Sequence, residues 1–115
     1  MISNRILQTT VEGLKAISRV DLCIVDADKN VAAKTFDNVS ECLADAISFI
    51  DSPAESQAVN GFQFFKVEDE GNLEYIIMAR GTSDDVYMVG KLAAFQIQNL
   101  LVACLLYTSP SPRDT

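Results

Sequence analysis

The chain contains no histidine and no tryptophan, and only 5 glycines and 3 prolines among its 115 residues. Without histidine there is no imidazole to act as acid or base near neutral pH and no His-based zinc site. A serine or cysteine nucleophile would lack its usual His base as well. The glycines are scattered and none stands before a Lys-Ser pair, so no phosphate-cradling loop is present. Positive charge is scarce: 9 Lys and Arg face 16 Asp and Glu, a formal charge of -7. Such a surface repels phosphate backbones, which argues against direct contact with nucleic acid. Cysteine is scarce too. Cys23 sits in an apolar run and Cys42 in a helical one, with no C-x-x-C spacing, so buried reduced thiols of a cytoplasmic protein are expected rather than a disulfide. No run approaches the length of a membrane span, and Met1 to Gln8 lacks a charged leader followed by an apolar stretch, so neither secretion nor a membrane partner is expected. No motif asks for a metal or a cofactor, and catalysis is not expected.

Residues 104–115 stand apart. Back-translation of Cys104 to Asp114 gives a run that resembles the transposase-tagging adapter used to prepare sequencing libraries. The segment 104–115 is therefore expected to be non-native and is left out of the fold reasoning. On this reading residues 1–103 form one small domain with a single core, a fragment of a longer protein.

Ile6, Leu7, Val11, Leu14 and Ile17 recur at helical spacing, which predicts an amphipathic helix from about Ile2 to Ser18. Val20 to Val25 ends in consecutive apolar residues, too short a run for a helix, and predicts a strand buried on both faces. Asp26 to Asn30 has turn chemistry, and Val31 to Phe36 predicts the returning strand of a hairpin. From Ser40 helical spacing resumes, with Leu43, Ala46, Ile47 and Ile50 on one face and an end near Asp51. Ser52-Pro53-Ala54-Glu55 has the form of a capping box with proline at the first helical position, predicting a helical turn or a new helix start. Asn60-Gly61 marks a tight turn. Beyond it Phe62, Phe64 and Val67 are expected on one side of a strand, and Gln63, Phe65 and Lys66 on the other. Glu68 to Asn72 reads as a charged loop. Leu73 to Ala79 reads as a further strand, with Tyr75, Ile77 and Ala79 on one face and Ile76 and Met78 on the other.

Gly81 to Asp85 combines a break, N-cap candidates and two carboxylates suited to a helix N-terminus. They open a helix predicted from about Asp84 to Ala103, which carries two apolar stripes. Val86, Val89, Ala93, Ile97 and Leu100 make one; Met88, Leu92, Phe95 and Val102 make the other. A helix apolar on two sides must be covered on two sides, so the second stripe is the candidate dimer or signalling face.

The element order gives an α+β layer architecture: an antiparallel sheet of four or five strands with the terminal helices together on one face. This is the layout of PAS-like, profilin-like and roadblock-like small domains. Three segments carry a closer resemblance: Ile2-Ser3-Asn4-Arg5-Ile6-Leu7-Gln8, Asp21-Leu22-Cys23-Ile24-Val25-Asp26-Ala27-Asp28, and Gly81-Thr82-Ser83-Asp84-Asp85-Val86-Tyr87-Met88-Val89-Gly90-Lys91. Together they look like the N-terminal sugar-diacid-recognition domain of the carbohydrate diacid regulators, which are related to the PucR-type transcription factors. The resemblance implies a cytoplasmic sensor that binds a small acidic metabolite and signals through its last helix. The receiver would be a missing C-terminal helix-turn-helix, the only part to touch DNA; a homodimer is expected. An acid must be met by cations or helix-terminal amides. The candidates are Lys34 at the end of the second strand, Lys66 and Arg80 on later strands, and Lys91 on the last helix. Arg80 leads, because it ends a strand just before a helix N-terminus and its fork can grip a carboxylate.

Two other readings stay open. One is a roadblock-like or profilin-like interaction and dimerisation module with no small ligand. The other is a small enzyme built on Asp26, Asp28, Asp84 and Asp85. Asp26-x-Asp28-x-Asn30 has the start of a calcium loop, but its sixth and twelfth places hold Val31 and Asp37 instead of Gly and Glu.

Overall fold

The computed structural model describes residues 2–37 and 39–108. In chain order the elements are α1 (Asn4–Ser18), β1 (Leu22–Asp26), β2 (Val31–Lys34), α2 (Ser40–Ile50), β3 (Ser56–Val59), β4 (Phe62–Asp69), β5 (Asn72–Arg80) and α3 (Asp84–Thr108). The strands form one 5-stranded antiparallel sheet in the order β2-β1-β5-β4-β3. The β1–β2 hairpin and the β3–β4–β5 meander are each local. They join mid-sheet, where Leu22 to Asp26 pairs with Ala79 to Tyr75. Helices α1 and α3 cover one face and α2 covers the other, so the central strands are buried on both sides, as the apolar run of β1 predicts.

Turn chemistry sets the strand reversals. The Asp26 carboxylate accepts from the amides of Asp28 at 2.9 Å and Asn30 at 3.0 Å, and Lys29 takes φ 71°. Asn60-Gly61 and Glu70-Gly71 place both central residues at positive φ, the handedness that matches the twist of the strands they join. The expected loop at Glu68 to Asn72 therefore shrinks to a two-residue turn, with Asp69 facing Asn72. At the opposite edge, the Gln8 side chain donates to the Lys34 carbonyl at 2.7 Å and accepts from its amide at 3.0 Å, sealing part of the outer rim of β2.

Several expectations are corrected. Helix α1 starts at Asn4, because Ser3 is extended and its Oγ accepts from the Ile6 amide. Ile2 lies just outside and is buried with Leu7, in the positions of a hydrophobic staple. Leu7 and Val11 face the sheet, whereas Ile6 and Ile17 lie on a strip displaced from them and are exposed. In α2 the inward side chains are Cys42, Ala46 and Phe49, with Leu43 and Ile50 only at the margin. Ser52 to Glu55 forms no helix: Ser52 Oγ accepts from the Ala54 amide, and the Glu55 carbonyl accepts from Lys66, leading into the edge strand β3. In β4 strict alternation groups Phe62 and Phe64 with Lys66, and Phe65 with Val67; the pairing slips only beyond, between Val67 and Glu68. Helix α3 runs past Ala103 to Thr108, so residues 104–108 of the expected non-native tail continue it; residues 109–115 lie outside the described residues.

The start of α3 is fixed from the sheet. Gln63 is buried, and its amide donates to the carbonyls of Gly81 and Ser83, both at 3.2 Å. Ser83 Oγ accepts from the Val86 amide, and Asp84 and Asp85 occupy the first turn. One turn on, Gly90 lies against Phe65: a Cβ at Gly90 would stand 2.0 Å from Phe65 Cε1. The helix approaches β4 so closely because this residue has no side chain.

Candidate functional site

Around α3, Val86, Gly90, Ala93, Ile97 and Leu101 are buried toward the sheet, and Val89 and Leu100 are half-buried beside them. On the opposite side Met88 is 68% exposed, Leu92 53%, Phe95 63% and Val102 47%. Both stripes read from the sequence are therefore present, and the second has no cover in the described residues. Leu92 separates two hollows. One, of about 530 Å³, is lined by Tyr87, Met88, Val89, Lys91, Leu92 and Phe95. The other, of about 280 Å³, lies between α3 and α1, where Ile17 is 85% exposed and Gly13 leaves the helix surface low. Ile17 belongs to this surface, whereas the α1 pattern grouped it with the core face.

Contrary to the expectation that no segment reaches membrane-span length, Asp84–Ala103 is long and apolar enough by length and composition. Its buried side chains lie against the sheet instead.

The cations expected to hold an acid are not brought together. Lys66 and Lys91 border a hollow of about 250 Å³ that also contains Glu55 and Glu68. Lys34 borders a different one, of about 350 Å³, with Lys15, Glu12 and Asp37. Each hollow carries acids and bases in equal number, so neither has the positive field an anion needs. Lys66 also donates to the Ser52 carbonyl and stands 4.9 Å from the Phe49 ring centroid. Lys34 Nζ is 4.0 Å from Asp37, and Lys91 is 6.0 Å from the Tyr87 ring. Arg80 is already engaged: its guanidinium lies over Phe36 at 5.3 Å and Phe62 at 5.8 Å, and Nη1 is 3.8 Å from Asp21 Oδ2. Among the described residues no group of three or more His, Cys, Asp or Glu could hold a metal ion. The Asp26 carboxylate is spent on its own turn.

Asp21 is the electrostatic hub of this end of the sheet. Lys15 donates to it, Thr35 Oγ1 donates at 3.0 Å, and Arg80 approaches from the strand end. Burial alone would raise its pKa, but Lys15, Thr35 and Arg80 outweigh that and hold the carboxyl below its ordinary 3.8. A carboxyl whose folded pKa is depressed stabilises the fold above its unfolded value and loses that contribution as pH falls through the folded one. Asp21→Asn should therefore be less stable than the native chain near neutrality, and the gap should close as pH drops below 3.8. Denaturant midpoints taken across the acid range check this; a gap independent of pH would refute it. The thiols behave as expected for core groups. Cys23 and Cys42 are buried in one cluster, and burial, reinforced by Cys42, pushes Cys23 up to about 12.

The sheet order β2-β1-β5-β4-β3, with α2 on one face and α1 and α3 on the other, is the roadblock/profilin-like fold within the α+β class. No protein-family model and no curated protein matches the sequence. Among solved structures the chain is similar to Myxococcus xanthus MglB, with a TM-score of 0.60 and 8% identity over 90% of this chain and 92% of that one.

Proposed function

We propose that this chain is a protein-interaction and dimerisation module whose working surface is the outward stripe of α3. The observation that carries the reading is the alignment of Met88, Leu92, Phe95 and Val102, all exposed, on the side of α3 away from the sheet. Single exposed apolar residues are ordinary, but a continuous stripe bordered by two hollows has the form of an unfilled interface. The roadblock/profilin-like fold is in keeping with such a scaffold. The small-acid sensor implied by the family resemblance has weaker support, since the candidate cations are dispersed and balanced by carboxylates.

Light scattering over a dilution series is expected to show a monomer–dimer equilibrium. Leu92→Glu combined with Phe95→Glu should weaken association more than about a hundredfold, because unpaired charges would be buried at the contact. The far-UV circular dichroism should not change, since both side chains face away from the core. Undiminished self-association in the double variant would move the working surface elsewhere. A native chain that stays monomeric and binds a small dicarboxylic acid in calorimetry would restore the sensor reading.

A further inference from the structure

Resting on that reading of α3, we infer that two copies of the chain join through α3 side by side and parallel, in a two-stranded coiled-coil seam whose register is set by Asn99. Met88, Leu92, Phe95, Asn99 and Val102 follow one another at steps of four, three, four and three. This is the alternation of d and a positions in a heptad, and it places Asn99 at an a position. The stripe is straight, exposed and opposite the buried residues of the same helix. Leu92, standing between two hollows, has the form of a knob with holes on either side.

The charge distribution selects a second copy as the occupant. From Val86 to Ala103 the chain has no carboxylate and one cation, Lys91, although its net charge is -7. Two such acidic molecules repel least where they meet through this helix. A basic partner would find no carboxylate between Val86 and Ala103 to pair with, and an anionic lipid surface would repel the rest of the molecule. The seam is short. From Met88 to Val102 it runs about 21 Å, and a helix is about 10 Å wide, which is small beside the roughly 800 Å² per partner of a standard interface. The dimer is accordingly one that dissociates on dilution.

Asn99 decides the orientation. In a parallel pair it meets Asn99 of the second copy, and the two amides bond to each other. In an antiparallel pair a positions meet d positions, so it would face Phe95 or Met88 and leave a buried amide unpaired. Asp85, exposed, holds the a position beyond Leu92 toward the N-terminus and ends the seam there. Parallel pairing crowds carboxylates at that end, but solvated like charges cost less than a buried unpaired amide.

Oxidative cross-linking in a Cys104→Ser background separates the arrangements, because Cys23 and Cys42 are buried. Parallel pairing predicts that Met88→Cys and Val102→Cys each cross-link to themselves, and that mixing the two variants adds no mixed product. Asn99→Leu should tighten the dimer about tenfold and admit the mixed product. Asp85→Asn should tighten it several-fold at low salt and little at high salt. A mixed product alone, or an Asn99→Leu variant unchanged in both affinity and cross-linking, overturns the inference while leaving dimerisation through α3 intact. A native chain that never associates removes the underlying reading, and this inference with it.

Discussion

Phe49→Ala is expected to remove about 3–5 kcal/mol of folding stability. Helix α2 alone covers its face of the sheet, and its inward side chains are Cys42, Ala46 and Phe49. The other two are small, so Phe49 is the anchor. Its ring lies 5.8 Å from that of Phe64, and the Lys66 ammonium stands over it at 4.9 Å. Truncation would leave a cavity above Phe64, since the other fully inward side chains of α2, Cys42 and Ala46, are too small to fill it. A domain of this size has about 5–15 kcal/mol in total, so the variant would sit near the edge of folding. Denaturant titration should show a much lower midpoint with an unchanged slope; a loss under about 1 kcal/mol would mean that α2 is held by something other than this ring.

Gly90→Ala should be destabilising by about 2 kcal/mol, although alanine is the better helix former by about 1 kcal/mol. The added methyl would stand 2.0 Å from Phe65 Cε1, 2.6 Å from Cζ and 2.8 Å from Cδ1. Phe65 cannot swing clear: it is buried in the core, and the Tyr87 ring lies 5.5 Å away. Either the ring leaves its rotamer or α3 lifts from β4, and overpacking of this kind costs about 1–3 kcal/mol or more. Phe65→Leu in the same chain should recover part of the loss, so that the double variant is more stable than the sum of the singles predicts. Additivity of the two changes in thermal unfolding would show that the contact is not the cause.

What was legible in the sequence followed from local chemistry. Tyr75 to Ala79 alternates cleanly and β5 obeys it; the Asn60-Gly61 turn forms as its residues demand. The faces of β4 and α2 were harder because each places large apolar residues next to one another in the chain, Phe64 beside Phe65 and Phe49 beside Ile50. In Phe62 to Val67 hydrophobicity does not say which side is which, and in α2 Phe49 and Ile50 are neighbours with equal claims to the core. Ser52 to Glu55 has the letters of a capping box, but the Glu55 carbonyl is taken by the Lys66 amide across the sheet, a partner that no short window contains. The two stripes of α3 were visible. Which one meets the sheet depends on Gly90, a residue that a search for apolar side chains passes over. Arg80 was prominent as an anion binder, but its hold on Phe36, Phe62 and Asp21 comes from three separate segments.

The mid-sheet junction of β1 with β5 has a consequence in time. Hairpin and meander can each form from neighbours in the chain, but pairing Asp26 with Tyr75 closes a loop of about 50 residues. The slow event in reaching the native state is therefore expected to be the zipping of these two strands. On a ribosome, α1 and the first hairpin must wait with one edge of β1 unpaired until β5 has been synthesised, and that interval is when the chain is most open to aggregation.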